Sequence, residues 1–479
     1  MTKITHKFHP SILRAYDIRG IYNKTLSDID AFFIGRAFGS FLINNGEKII
    51  AVARDCRISS PDLKAKLIAG LIESGLEVID IGSGPTPMLY FAINELKADA
   101  GIMITGSHNP KDHNGFKIAL KDRPFYGQDI QDLSKIAANG NFVDGNGTLT
   151  KHDIEEAYIN RILSDSIIAE SESHLLDEID QFIPKKKIKI AWDCGNGAAG
   201  ILIKKLTKRI FADHILLFEE VDGDFPNHHP DPTVAENLED LKKAVIENGC
   251  DLGIAFDGDA DRIGVIDNQG EILWPDQLMV FYAKEILDAH KGATIIADVK
   301  ASGILFDEIK KFGGHALMWK TGHSLIKAKM KETGALLAGE MSGHIFFADK
   351  YFGYDDALYA AIRLINIVYS STESLADLRK LLPQTFATAE IRINCDEDKK
   401  FKIIDKIKAN LKKEKIKFND IDGIRATNSK GWWLLRASNT QPALVARCEA
   451  NDAKHLDELK EQVKKQLHFC KVKIPQELE

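Results

Sequence analysis

Cysteine is scarce, with six residues in a chain of 479. Cys56, Cys194, Cys250, Cys395, Cys448 and Cys470 are scattered without a Cys-x-x-Cys pair, which excludes a disulfide framework and suits a reducing compartment. Long apolar runs are also missing. No stretch approaches the roughly 18 residues of a membrane span, and residues 1–11 lack an apolar segment of signal-peptide type. The expectation is a cytoplasmic protein with no membrane partner. Charge of one sign is lacking too: 63 basic against 70 acidic residues leave a net of −7, and the signs are interspersed. A broad polyanion-binding surface is thereby excluded and no nucleic-acid partner is expected, so a phosphate ligand has to be met by local pockets.

What is present is an ordinary globular balance, 44% hydrophobic and 28% charged, over a length that suits roughly three or four domains of about 100–200 residues. Short apolar strands alternate with helical patterns. Residues 49–53 read as a strand, and the helix after Ser59 or Ser60 buries Leu63, Leu67, Ile68, Leu71 and Ile72. A second strand at 78–82 and a helix from Pro87 follow. A third apolar run at 98–104 then leads into Thr105-Gly106-Ser107-His108-Asn109-Pro110. In open α/β sheets, ligands are bound at the C-terminal ends of strands, so Ser107 is a candidate nucleophile. Neighbours in sequence do not point reliably at each other, so His108 suits a phosphate or hydrogen-bond partner better than a base for Ser107. Lys117 follows closely enough to share the pocket, or else it is a solvated lysine on an edge strand. Ahead of the first strand, Tyr16 and Arg19 precede a glycine turn at Gly20, where a surface salt bridge is the default reading. The Gly- and Asn-rich stretch 139–150 reads as a linker or loop.

A second α/β pattern follows, with a helix near 154–163 and a strand at 188–193. Gly195-Asn196-Gly197-Ala198-Ala199-Gly200 has the outline of a dinucleotide fingerprint, but no acidic residue on a matching second strand is evident, and tight strand-to-helix packing explains the glycines better. The strand at 251–256 runs into Asp257-Gly258-Asp259-Ala260-Asp261-Arg262. Three carboxylates in one tight loop repel each other and are costly to hold without a cation. Hard oxygen donors favour Mg²⁺. An EF-hand loop would need Gly and Glu where this chain has Arg262 and Asn268.

A third pattern brings the strand 293–300 with Lys300 near its end, a strand at 315–319, and Lys320-Thr321-Gly322-His323 opening a helix. The run 336–338 ends in Gly339-Glu340-Met341-Ser342-Gly343-His344. Three short strands that each end in a loop rich in catalytic residue types suggest a degenerate internal repeat. The last unit is different: an alternating strand at 388–393, a Lys-rich helix at about 399–413, a hairpin of 421–426 with 431–437 through 427–430, a strand at 443–448 and a closing helix. Between its strands, Arg436-Ala437-Ser438-Asn439-Thr440-Gln441-Pro442 offers donors without a carboxylate, which suits a phosphate dianion.

These four loops, in this order, resemble those of the α-D-phosphohexomutases over nearly the whole chain, from Tyr16 to Arg447. Gly-Glu-Met-Ser-Gly-His with Arg-Ala-Ser-Asn-Thr is similar to the phosphomannomutase/phosphoglucomutase branch. Ala260, where Gly is usual, and Gln441, where Thr is common, depart from the pattern without removing a ligand. The resemblance implies three similar α/β domains with parallel or mixed sheets at 1–150, 151–271 and 272–383, then an α+β domain at 384–479, with the active site in the central cleft. It implies interconversion of hexose 1-phosphate and 6-phosphate, mannose or glucose, through phosphorylated Ser107 and a hexose 1,6-bisphosphate. One Mg²⁺ would be held by Ser107, Asp257, Asp259 and Asp261, with Arg262 in support. Catalytic roles fall to Ser107, His108, Lys117, His344, His323 and Arg19. Tyr16, Lys300, Glu340, Ser342, His344, Arg436, Ser438, Asn439 and Thr440 would bind the sugar phosphate. The C-terminal domain is expected to be the mobile part, hinged at about 382–387. The competing readings are a metal-dependent sugar phosphatase or phosphotransferase with Asp257 as nucleophile, a phosphoglucosamine mutase, and a non-catalytic sugar-phosphate sensor.

Overall fold

The computed structural model describes residues 3–169, 186–439 and 441–478. Two compact units divide the chain, 1–275 with 342–379, and 276–341 with 380–479.

In the first unit, six strands lie in the order Ile18–Ile21, His113–Leu120, Ala100–Ile104, Ile49–Arg54, Glu77–Ser83 and Thr148–Lys151. Helix Ser60–Glu73 presents Leu63, Leu67 and Leu71 to the core, each fully buried and each contributing on the order of 2 kcal/mol of transfer free energy. A five-stranded sheet follows: Ile272–Leu273, Ile263–Asp267, Leu252–Phe256, Lys189–Asp193 and Asp213–Leu217. In both sheets the first strand of the α/β pattern sits between the second and the third, and the third is paired antiparallel with the strand that returns from its loop. Those two loops, 105–112 and 257–262, are too short to make a helical crossover, so the return must be antiparallel. The sheets are therefore mixed rather than parallel throughout. Strand 345–347 and helix Ala357–Ser370 also belong to this unit.

In the second unit, Thr294–Asp298 pairs in parallel with His315–Trp319 on one side and Leu337–Gly339 on the other, the same placement of first, second and third strands. The C-terminal sheet is antiparallel: Ala443–Ala450 is flanked by Gly431–Ala437 on one edge and by Phe386–Ala387 and Ile391–Asn394 on the other. Helices Lys400–Lys413 and Ala453–Phe469 bury Ile407, Leu411, Leu459 and Val463 against Trp433 and Leu444.

Several expectations need correction. Lys117 is not on an edge, since its strand pairs on both sides. Ile18–Ile21 is a strand rather than a turn, and Gly20 lies inside it because a side chain would meet Ile12, Thr25 and Leu26 within 2.9 Å. The stretch 139–150 is not a free linker: Gly145 and Gly147 donate to Glu73 and Ile72 carbonyls, and Thr148–Lys151 pairs with Glu77–Asp80. The hairpin turn is two residues, Ser429 and Lys430, because Asn428 pairs with Gly431. By its contacts the C-terminal domain shares a compact unit with 276–341. Glycines 195–200 lie close to other backbone and loops: a Cβ on Gly200 would lie 2.3 Å from the Glu219 carbonyl, just past strand Asp213–Leu217, and one on Gly197 would lie 3.0 Å from the Gly258 carbonyl. No helix among the described residues is long and apolar enough to cross a membrane.

Strand Lys189–Asp193 ends in a half-buried pair of Asp193 with His228. His228 Nε2 lies 2.9 Å from Asp193 Oδ2, and its Nδ1 lies 3.0 Å from the His229 carbonyl. Burial opposes charge on the ring, but both nitrogens face acceptors and the Asp193 carboxylate raises the His228 pKa above its ordinary value. A raised folded-state pKa gives stability that is complete below the unfolded pKa and lost as pH rises through the folded one. His228→Gln is expected to destabilise the protein by about 1 kcal/mol more at pH 5.5 than at pH 8.5, measured by urea denaturation.

Candidate functional site

Ser107 sits at the end of strand Ala100–Ile104 with φ of +49°, a left-handed conformation for a residue bearing a side chain. The surrounding contacts hold it there. Buried Arg57 donates to the carbonyls of Ser107 at 2.7 Å, Pro110 at 2.6 Å, His113 at 2.9 Å and Asn109. Its Nε lies 3.3 Å from Asp55 Oδ2, which also accepts the Gly106 N–H at 3.1 Å. From the neighbouring sheet, the acidic loop approaches the serine backbone directly: a Cβ on Gly258 would lie 2.5 Å from the Ser107 carbonyl. Ala260 has φ of +55°, so the position where glycine is usual in the resembling family is one whose backbone favours glycine.

Ser107 Oγ donates to Asp257 Oδ2 at 2.9 Å and lies 3.1 Å from His108 Nδ1. His108 Nδ1 is thus a hydrogen-bond neighbour of the same oxygen that contacts Asp257. Burial, then the cations Arg262, Arg19 and Lys117, push the His108 pKa well down. Asp257, Asp259 and Asp261 are all fully buried. Lys117 Nζ lies 2.7 Å from Asp259 Oδ2 and also bonds Asp261, while Thr86 Oγ1 donates to Asp259. Burial works to raise the Asp259 pKa, but Lys117 and Thr86 outweigh it and hold the carboxyl well below the usual range; burial and the other two carboxylates push Asp257 well up. His344 Nδ1 lies 3.0 Å from Asp355 Oδ2 and 3.1 Å from the Asp261 carbonyl, and its Nε2 lies 3.1 Å from Arg262 Nε. Arg19 donates to Asn109 Oδ1 at 3.2 Å and pairs with Asp17. Tyr16 and Ser342 are half-buried.

One carboxylate oxygen from each of Asp257, Asp259 and Asp261 lies within 4.8 Å of the other two. Buried Asp259 Oδ1 and Asp261 Oδ1 accept no hydrogen bond. Orphaned anionic oxygens in a dry site are costly, and a hard divalent cation fits this donor set.

The second unit carries its own connected set. Lys300 Nζ lies 3.0 Å from Glu390 Oε2 and 3.9 Å from Asp298 Oδ2. Thr321 Oγ1 donates to Asp298 Oδ2 at 3.2 Å and Thr321 N to Asp422 Oδ2 at 3.0 Å. The same Asp422 oxygen accepts from Arg436 Nε at 3.0 Å. Gly322 N donates to Glu340 Oε1. His323 opens helix His323–Thr333 and does not belong to the serine cluster's compact unit, whereas Lys117 and His344 do. Ser438 is buried and Asn439 half-buried, and Ser438 Oγ accepts from Gln441 N at 3.2 Å. Thr440 lies outside the described residues.

Sequence reading missed Asp55, Arg57, Thr86 and Asp355 in the first unit and Asp298, Glu390 and Asp422 in the second. Asp55 and Arg57 follow the end of strand Ile49–Arg54, so the strand-end rule that singled out Ser107 applies to them as well. The others meet the site only through tertiary contact.

Comparison with known proteins gives consistent matches along the chain. Models of phosphoglucomutase/phosphomannomutase alpha/beta/alpha domains I, II and III match residues 10–144, 169–270 and 274–386, and the model of the C-terminal domain matches 390–466. The chain belongs to the phosphoglucomutase/phosphomannomutase family. A phosphomannomutase/phosphoglucomutase of Pseudomonas putida is 44% identical over 457 residues, 95% of each chain. A phosphoglucomutase of Neisseria gonorrhoeae is 42% identical over 95% of this chain and 96% of its own. A crystal structure of a phosphoglucomutase/phosphomannomutase family protein from Burkholderia thailandensis superposes with a TM-score of 0.89 at 39% identity, covering 98% of this chain and all of that one. The four-domain α/β architecture is that of the family.

The Gly258 contact gives a direct test of how tightly the two loops must fit. Gly258→Ala has to push Ser107 away from the acidic loop, and misplacement approaching 1 Å costs on the order of 100-fold in rate. Steady-state kinetics should therefore show a fall in kcat of about that size, with the protein still folded by circular dichroism.

Proposed function

We propose that the protein is a phosphohexomutase that interconverts hexose 1-phosphate and hexose 6-phosphate, with Ser107 as the phosphoryl carrier and a hexose 1,6-bisphosphate as intermediate. The observation that carries this reading is the Ser107 hydroxyl held 2.9 Å from Asp257 at the rim of three buried carboxylates. Family membership agrees with it.

Asp257, Asp259 and Asp261 would hold a divalent cation, Mg²⁺ by the hardness of the donors, which when bound neutralises charge on the moving phosphoryl group. The chain's own residues supply the remainder. Lys117 and Arg262 bring fixed positive charge to the buried loop, and phosphoryl transfer needs charge neutralisation and alignment more than covalent help. Arg57 and the Gly258 approach keep Ser107 from drifting. His344, held between Asp355 and Arg262, suits proton traffic to and from a sugar hydroxyl. Lys117, buried and ion-paired with both Asp259 and Asp261, serves as a cation rather than a base. His323 is the other candidate for proton transfer. Glu340 and Ser342 would bond sugar hydroxyls, Lys300 would contact the sugar phosphate, and Arg436, Ser438, Asn439 and Thr440 would hold the phosphate not being transferred. Arg19 and Tyr16 would line the approach to Ser107.

A phosphatase with Asp257 as nucleophile leaves Ser107 and the donor loop around Arg436 without work. A sensor has no use for carboxylates beside a serine.

Product analysis separates these readings. Glucose 1-phosphate and mannose 1-phosphate, each with a trace of 1,6-bisphosphate, are expected to give the 6-phosphates, and Ser107→Ala is expected to lower kcat by at least about 1,000-fold. Release of inorganic phosphate without isomer would favour the phosphatase, and tight binding without turnover the sensor.

A further inference from the structure

The segment after strand Thr294–Asp298 turns three consecutive carbonyls, those of Val299, Lys300 and Ala301, onto arginines of the C-terminal domain. Arg425 Nη1 donates to Val299 O at 2.7 Å and to Ala301 O at 2.8 Å. Arg447 donates to Lys300 O, and through the same nitrogen pairs with Asp276 at 3.3 Å. The Lys300 ammonium is bonded at 3.0 Å by Glu390, also from that domain. Lys300 is thus gripped at its backbone and its head by 380–479, although it belongs by sequence to the preceding α/β domain.

Arg425 is the demanding member of this set. Its residue is 5% exposed, and its guanidinium lies 3.7 Å from the centroid of the Trp432 ring. Trp432 is itself fixed by its indole N–H, 2.8 Å from Glu449 Oε1, an oxygen that also accepts the Gly303 N–H at 2.9 Å. Burial pulls the Arg425 pKa down to about 10, a measure of how unfavourable the position is for a cation. One guanidinium nitrogen bridges both carbonyls while the planar group lies over the indole, a flat contact that a lysine ammonium does not reproduce.

We propose that Arg425 is a positioning residue for Lys300: by clamping the carbonyls on either side of it, Arg425 sets where the Lys300 ammonium meets the substrate. Arg425 touches no substrate itself. The coupling ties Lys300 to the C-terminal domain that carries the donor loop around Arg436, so that both groups keep one fixed relation within the second compact unit. The inference rests on the reading of Lys300 as a substrate contact.

A double-mutant cycle in the full-length enzyme tests both layers. Lys300→Ala is expected to raise KM for glucose 1-phosphate about 10-fold with kcat within about threefold. Arg425→Gln is expected to do the same in the wild-type background and to add nothing to Lys300→Ala. Arg425→Lys, which keeps the cation and is more certain to fold, is expected to show a smaller rise that also vanishes with Lys300→Ala; thermal melts verify folding of each. An unchanged KM in Lys300→Ala would sink the reading of Lys300 and the inference with it. An impaired Lys300→Ala on which the Arg425 effects add in full, or Arg425 variants with normal KM, would overturn the inference alone, because a purely structural loss is indifferent to whether the lysine is present.

Discussion

Three carboxylates within a six-residue loop, all out of contact with water, set the terms for the rest of the first unit. Mutual repulsion and desolvation would protonate or expel them unless cations answered from close by. Lys117 arrives on the strand returning from the serine loop, Arg262 closes the acidic loop itself, and Thr86 supplies a hydrogen bond from a helix N-terminus. The answer is incomplete: two oxygens stay without donors. Buried carboxylate oxygens left without donors suit a divalent cation and the phosphoryl group that such a cation accompanies.

The topology explains how the chain meets this demand. Each of the two loops that matter, 105–112 and 257–262, joins an antiparallel pair at one edge of the parallel core, so its backbone is fixed at both ends over a few residues. Fixed ends allow the left-handed Ser107 and the close Gly258 approach. Precise placement on rigid strands is what electrostatic catalysis of phosphoryl transfer requires.

Much of this was legible in the residues. The strand-to-loop sequence around Ser107, the acidic loop and the donor loop at Arg436 carry strong composition signals, and the repeat of strand, helix and strand-end loop was readable from hydrophobic runs. The return strands were less so: that Lys117 lies inside a sheet and that Ile18–Ile21 is a strand depend on pairing between segments about 95 residues apart, to which local pattern is blind. Arg57 was hidden for a related reason. An Asp-Cys-Arg tripeptide looks like a surface turn, and only the folded loop shows four carbonyls converging on the guanidinium. The grip on Lys300 was equally out of reach, since Arg425, Glu390 and Arg447 come from a different domain. Which domains share buried contacts was not legible either, because 276–341 and 380–479 join through tertiary contact that composition does not mark.

The central claim is that Ser107, rather than one of the carboxylates beside it, carries the phosphoryl group. The most direct measurement is to incubate the purified protein with glucose 1,6-bisphosphate and map the modified residue by peptide mass spectrometry, then add glucose 1-phosphate and follow the label. A single phosphoryl group is expected on Ser107, passing to the added sugar as bisphosphate. A phosphoryl group on Asp257, or a phosphoserine that is inert toward the sugar phosphate, would contradict the claim.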